Sequence, residues 1–256
     1  MADQHVGGGQ QNAIGDRSLP RAKGQGIMEE SSTQKAQMGV KLEFDDGRVF
    51  RYAKASAAIA TGLVASTDNV YLVAADTNDT FVAAAAGSTS FNLSARSGDA
   101  VDEYASAYFG NITNGEQYRI KSNTASATVN GVANTVVFSL YDPIKTAIAA
   151  TDDYLITPNP YASVITATVP GGSYDRAVGV TPIAVTVDYY FWLQTKGVAF
   201  VKADDAAAIS IGTPVTLSDS AAGTVQDQDA LAENVIGYCV AAAAANKHGG
   251  VMLNLE

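Results

Sequence analysis

The sequence predicts an all-β fold: a small antiparallel β-barrel or sandwich, an additional β-rich unit inserted or appended, and a flexible N-terminal arm. Three observations lead there. From Val178 to Glu256, short apolar runs rich in β-branched and aromatic residues alternate with Gly-bearing turns, the pattern of a small antiparallel barrel. Lys41 to Tyr52 reads as a hairpin around Asp46-Gly47, because glycine tolerates the positive φ that a tight β turn demands. Between residues 69 and 175, short strand-like segments recur between clusters of turn residues.

Residues 1–37 are rich in Gly, Gln and Ser and lack apolar periodicity. Such a segment cannot offset its own ordering entropy, so it is expected to be disordered by itself. Its acids (Asp3, Asp16, Glu29, Glu30) balance its bases (Arg17, Arg21, Lys23, Lys35). The tail is therefore neutral, either an inert linker or an arm that orders along a neighbour. In the hairpin, Leu42 and Phe44 alternate with polar neighbours on one side, as Phe50 and Tyr52 do on the other. Ala53 to Ala60 reads either as a short helix or as a loop crossing one end of a barrel.

The middle region offers strands at Val70–Ala74, Thr80–Ala84, Ser90–Leu93, Tyr104–Ile112, Tyr118–Lys121, Ala127–Val129, Thr135–Leu140, Tyr154–Thr157 and Ser163–Val169. Asp99 to Tyr108 reads alternatively as one helical segment. The terminal strands follow at Val178 onward, at the Tyr189 run, at Val198–Val201, Gly212–Leu217, Val235–Val240 and Val251–Leu255. The expected organisation is an arm at 1–37, a barrel from 38–68 plus 176–256, and a β-rich insertion at 69–175. No repeat of solenoid or propeller length is evident.

Composition narrows the function. Of 256 residues, 47% are apolar and 16% charged, and the net charge is −10. A nucleic-acid partner would need a Lys/Arg stripe that is missing, and an anionic membrane surface is disfavoured for the same reason. The single Cys239 excludes an internal disulfide framework and reads as a buried small hydrophobe. The N-terminus shows no charged and apolar signal pattern, and no apolar run reaches membrane-helix length. Synthesis and folding in a cytoplasm are expected.

Catalytic chemistry finds no centre. His5 lies in the tail and His248 in a Lys-His-Gly-Gly turn, neither placed for a nucleophile–base–orienter arrangement or a zinc or iron site. Asp99/Asp102/Glu103, Asp152/Asp153 and Asp204/Asp205 are the carboxylate clusters that glycoside hydrolysis or calcium would use. Adjacent acids in turns read first as solvated loop residues. Asp76-Thr77-Asn78-Asp79 lacks EF-hand spacing, and neither Gly7-Gly8-Gly9 nor Gly24-Gln25-Gly26 sits in a phosphate-binding context. No enzyme activity, metal or cofactor is expected. The sharpest local feature is Tyr189-Tyr190-Phe191-Trp192. In a strand its alternate members face opposite sides, one pair (Tyr189 with Phe191 or Tyr190 with Trp192) entering the core and the other left partly exposed, either as ordinary surface or as an interface anchor.

The order Val178-Gly-Val-Thr-Pro-Ile-Ala-Val, the aromatic strand into Gln194-Thr-Lys-Gly-Val-Ala-Phe-Val, then Gly212-Thr-Pro-Val-Thr-Leu, Gly223-Thr-Val, Val235-Ile-Gly-Tyr-Cys-Val and Gly250-Val-Met-Leu-Asn-Leu resembles the capsid cement, or head decoration, proteins of tailed bacteriophages. Residues 41–68 look like the N-terminal part of that family's barrel, with 69–175 as an enlargement. The resemblance implies a virion protein that binds the outside of an assembled capsid, often as a homotrimer. It would contact the major capsid protein and bridge capsomers against internal pressure. Tyr189, Tyr190, Phe191 and Trp192, with Arg17, Arg21 and Lys23 of the arm, are then the candidate interface. The alternative is a virion adhesin or fibre module that uses Tyr189, Tyr190 and Trp192 as sugar platforms.

Overall fold

The first turn forms around Gly47 as its sequence dictates. Strand β1 (Lys41–Glu43) pairs with β2 (Val49–Lys54), and only Gly47 takes a positive φ, 85°. The Gly47 amide donates to the Phe44 carbonyl at 3.0 Å, and the Phe44 amide to the Arg48 carbonyl at 2.9 Å. This is a three-residue connection with glycine at the bulge position, one residue longer than an Asp-Gly turn of two. The computed structural model describes residues 24–67, 73–74, 80–96, 99–126, 134–169, 176–230 and 233–256.

The chain is all-β: among the described residues there are seventeen strands and no helix. It divides into two compact units, Met1–Asp68 with Pro160–Glu256, and Asn69–Asn159. The first holds β1, β2, β3 (Val64–Thr67), β11 (Val164–Thr166), β12 (Ala177–Val180), β13 (Tyr190–Lys202), β14 (Pro214–Leu217), β15 (Val225–Asp227), β16 (Gly237–Ala241) and β17 (His248–Asn254). They form one ten-stranded sheet in the order β11-β3-β12-β13-β17-β16-β14-β15, with β2 pairing β13 and β1 at its margin. Curling brings Ala203, just past β13, beside Val225 of β15, where the Asp204 amide donates to the Val225 carbonyl at 2.8 Å.

The second unit holds β4 (Val73–Ala74), β5 (Thr80–Val82), β6 (Ser90–Arg96), β7 (Tyr108–Asn111), β8 (Gln117–Asn123), β9 (Asn134–Leu140) and β10 (Tyr154–Thr157). They lie in the order β4-β10-β7-β8-β9-β6-β5. An aromatic stack holds this sheet, with Phe91 4.8 Å from Phe138 and 4.3 Å from Phe109, ring centre to ring centre. The helical alternative for Asp99 to Tyr108 is not realised: turns fill residues 101–106, with Asp102 and Ser106 at positive φ. Val70–Leu72 and Ala127–Val129 lie outside the described residues.

Two boundaries differ from expectation. The inserted unit ends at Asn159 and not at 175, because β11 pairs with β3 and so belongs to the sheet of the first unit. Residues 24–37, expected as part of the arm, instead pack on the barrel: Ile27 and Ala36 lie against the cluster of Met38, Leu42, Phe50, Tyr52 and Trp192, and residues 1–23 lie outside the described residues. The Ala53–Ala60 stretch is neither helix nor free loop. Ala55 bridges Val164 and Ile59 bridges Val185.

Strand β13 organises the first unit. Sequence suggested two strands separated at Gly197, yet the chain runs on as one strand of thirteen residues. Its first half, Tyr190 to Lys196, pairs with β2, and its second, Lys196 to Lys202, with β17. Gly197 makes the handover at φ 83°, where an added Cβ would stand 2.9 Å from the Arg48 Cα. A glycine that would serve as a turn elsewhere is here a bend at a barrel corner.

Candidate interaction surfaces

The aromatic run enters β13 with alternate residues on opposite faces, and both faces are covered. Phe191 joins Leu193, Ala53, Val164 and Val185 in one cluster, with Tyr189 packed at its margin. Trp192, 1% exposed, joins Phe50 and Tyr52 in another, its ring edge-on to Tyr52 at 5.0 Å. Tyr190 stacks on Tyr52 at 6.1 Å. The expectation of one buried and one exposed pair is therefore corrected, since only Tyr189 and Tyr190 keep partial exposure.

The reason is residues 24–37, which lie over Trp192 as a strap. The indole Nε1 donates to the Gln25 carbonyl at 3.2 Å. The Tyr52 hydroxyl donates to Gln25 Oε1 at 2.8 Å and accepts from the Lys35 amide at 2.9 Å. Gln25 Nε2 donates to the Tyr190 carbonyl at 2.8 Å and to the Glu29 carbonyl at 3.0 Å. Ser31 and Tyr190 exchange backbone bonds of 2.9 and 2.8 Å. Glu30 accepts from the Thr186 amide and hydroxyl at 2.6 and 2.9 Å. Burial pushes the Tyr52 hydroxyl pKa up. Arg17, Arg21 and Lys23 lie outside the described residues.

Several of the acids singled out by sequence are engaged in structural bonds, while Asp76-Thr77-Asn78-Asp79 lies outside the described residues. Asp99 accepts from the Tyr104 hydroxyl at 2.9 Å and the Ser126 hydroxyl at 2.7 Å. Asp152 accepts from Asn111 Nδ2 and the Ala149 amide, both at 3.1 Å, and Asp205 pairs with Lys202 at 3.3 Å. His248 is exposed, with Nε2 3.4 Å from the Thr61 carbonyl. Cys239 is buried, and burial pushes its thiol pKa up. One cluster escaped sequence reading: Asp219, Asp229 and Glu233 bring carboxylate oxygens within 4.8 Å of one another, a set able to hold a cation. These residues come from two separate turns, so no local spacing announces them.

Asp204 is buried at the join between β13 and β14. Its carboxylate accepts from the hydroxyls of Ser218 and Ser220 and from the amides of Ala206 and Ala207, the last three at 2.6, 2.6 and 3.2 Å. The serine hydroxyls first, then the Ala206 amide, lower its pKa to about 2. A folded pKa below the ordinary carboxylate value means its stabilisation is present in full above pH ~5 and is lost as pH falls toward ~2. Asp204→Ala is expected to cost about 2–3 kcal/mol at neutral pH by orphaning these donors. The loss should shrink on acidification, which urea unfolding at pH 7 and pH 3 would measure.

The outer face of β13, β17 and β16 carries a group of exposed apolar side chains. Register places Val198 beside Met252 and Met252 beside Tyr238, one row across three strands. All three are exposed, as are Phe200 on β13 and Val240 on β16, Phe200 at 67%. Ile211, also exposed, lies on the loop whose Gly212 amide donates to the Cys239 carbonyl at 2.8 Å. Singly exposed apolar residues are ordinary; here they lie together on neighbouring strands. No family model, no curated protein and no solved structure matches this chain.

Proposed function

We propose that this chain is a structural virion protein that binds the outer surface of an assembled phage capsid and stabilises it by bridging neighbouring capsomers. The observation that carries the reading is the exposed apolar face of β13–β17–β16, on a sheet beside which the buried Asp204 is held by the Ser218 and Ser220 hydroxyls and the Ala206 and Ala207 amides. Such a face is built for protein contact, not for transforming a small substrate. The motif order that resembles cement proteins adds the capsid exterior as location and the major capsid protein as partner. It adds the homotrimer as assembly and the host cytoplasm as site of synthesis. Nucleic acid and membrane are not partners in this reading, and no catalysis or cofactor is needed.

A cement acts by mass action: it binds the assembled lattice better than free subunits and so opposes dissociation. Of the three platforms of the adhesin alternative, Trp192 lies beneath the strap, while Tyr189 and Tyr190 keep partial exposure. The test is co-sedimentation of purified chain with shells of the capsid protein from the same source. Saturable, stoichiometric binding and a raised shell melting temperature are expected. No binding, or binding without stabilisation, would end the proposal. Removing residues 1–23, which leaves the strap in place, is expected to weaken attachment without lowering the unfolding midpoint. Unchanged attachment would exclude an arm role for those residues.

A further inference from the structure

The strands of the second unit invert the sign of the chain. The protein as a whole carries a net charge of −10, yet none of the strands β4 to β10 contains an acid, while Arg96 lies on β6 and Arg119 and Lys121 on β8. Alternation turns Tyr118 and Ile120 of β8 into the aromatic core and leaves Gln117 and Arg119 on the other side, with Lys121 exposed at the irregularity that follows. Val136 and Phe138 of β9, and Phe91 and Leu93 of β6, point inward in the same way. Val137 and Ser139, with Ser90 and Asn92, therefore share the outer face. Across that face runs a row of ring, cation and ring. Tyr108 of β7 stands opposite Arg119 in register, and the amide of Tyr141, one residue past β9, donates to the Arg119 carbonyl at 3.0 Å. The Arg119 guanidinium lies 5.7 Å from the centre of the Tyr141 ring. Tyr141 is 47% exposed, and Tyr108 and Arg119 are half-buried. Beside this row lies one of hydroxyls, where Ser122 stands opposite Ser139 and Ser139 opposite Ser90. Two acids border the strands: Glu116 accepts from the hydroxyls of Tyr118 and Thr146, and Asp142 is exposed in the turn after Tyr141.

We infer that the outer face of β7, β8, β9 and β6 binds a carboxylate-bearing polysaccharide, a polymer of the uronic-acid type. The tyrosine rings offer flat apolar platforms for the C–H faces of sugar rings, with a polar hydroxyl at the edge. The planar guanidinium of Arg119 matches a carboxylate through two parallel hydrogen bonds, and Lys121 adds a second positive charge. Ser90, Ser139, Asn92 and Gln117 each donate and accept, as the hydroxyls of a sugar require of their partners. A polymer laid across the strands would meet Tyr108, Arg119 and Tyr141 in turn, over two strand spacings of about 4.8 Å each. A nucleic acid would need a longer run of bases, and an acidic peptide would need pockets for its side chains, which a row of serines does not form. This surface belongs to the inserted unit, whereas Tyr189 and Tyr190 belong to the first. It is independent of the shell-binding reading and holds whether or not that reading stands.

The experiment is affinity electrophoresis of the full chain through gels containing polygalacturonate, alginate or hyaluronate, with far-UV circular dichroism as the folding control. Dextran serves as the neutral polysaccharide and poly-glutamate as the acidic chain without sugar rings. Retardation by at least one acidic polysaccharide is expected, weakening with added salt, and none by dextran or poly-glutamate. Tyr141→Ala and Lys121→Glu change exposed side chains and should leave the spectrum unchanged while each weakens binding about tenfold. Arg119→Lys keeps the charge but loses the paired bonds, and a similar loss is expected. Tyr189→Ala, in the first unit, should bind as wild type. No retardation by any of the acidic polysaccharides overturns the proposal, as does wild-type binding by Tyr141→Ala/Lys121→Glu. Equal retardation by poly-glutamate would assign the face to acidic peptides, and equal retardation by dextran would remove the carboxylate. Loss of binding in Tyr189→Ala would move the site to the first unit. Each of these three results also overturns it.

Discussion

Trp192→Ala is expected to lower the stability of the barrel unit by about 3–5 kcal/mol, the range for emptying a fully buried tryptophan site. The indole is 1% exposed and supports two layers at once, Tyr52 and Phe50 within the sheet and the strap above it. Truncation leaves a cavity between them and removes the donor that Gln25 accepts through its carbonyl. The strap should then become cleavable within residues 24–37, while the wild-type chain resists a trace of protease there. Gln25→Ala is the gentler control. It keeps the indole but removes the amide that bonds Tyr52, Tyr190 and Glu29, with an expected cost of about 1–2 kcal/mol. Urea unfolding followed by circular dichroism reads both variants. A loss under about 1 kcal/mol for Trp192→Ala would mean that the strap and cluster do not act as one packed body.

Gly237→Ala is expected to be worse than its size suggests, about 3 kcal/mol or more, with loss of soluble protein. An added Cβ would stand 2.2 Å from the Met252 carbonyl oxygen and 2.9 Å from its carbonyl carbon. Those atoms are backbone of the neighbouring strand, so relief requires β16 and β17 to separate. Gly237 pairs with Leu253 on one side and Val215 on the other, and both ladders would suffer. Gly212→Ala supplies the contrast: its φ is 84° but nothing lies within 4 Å of an added Cβ. There the cost is conformational alone, about 1–2 kcal/mol. Equal effects at the two positions would show that β16 and β17 can part easily.

The sequence made the β class, the first hairpin and most strand positions legible, because alternation and turn chemistry are local signals. It missed features that depend on distant partners. Residues 24–37 carry little apolar periodicity, and what seats them is a set of bonds from Gln25, Glu30, Ser31 and Lys35 to Tyr52, Thr186 and Tyr190, far along the chain. Gly197 carries the same signal whether it ends a strand or bends one, and only the change of partner from β2 to β17 distinguishes them. The break at Asn159 was misplaced because β11 resembles the strands before it and differs only in pairing with β3. The exposed face was hidden by its own composition: Val198 and Phe200 look outward while Ala199 and Val201 look inward, so an entirely apolar run masks two sides. The carboxylate cluster arises only when β14 and β15 bring two turns together.

Strand β13 also decides how the barrel unit would respond to a mechanical load. Hydrogen bonds of antiparallel strands run across the strand axis, so a pull along β13 loads them in shear. The bonds to β2 over Tyr190–Lys196 and those to β17 over Lys196–Lys202 are then strained in parallel and must fail nearly together. A pull across the strand would instead peel them one pair at a time, at much lower force. The barrel unit is thus stiff along one direction and weak across it, and that anisotropy follows from a single thirteen-residue strand shared among β2, β12 and β17.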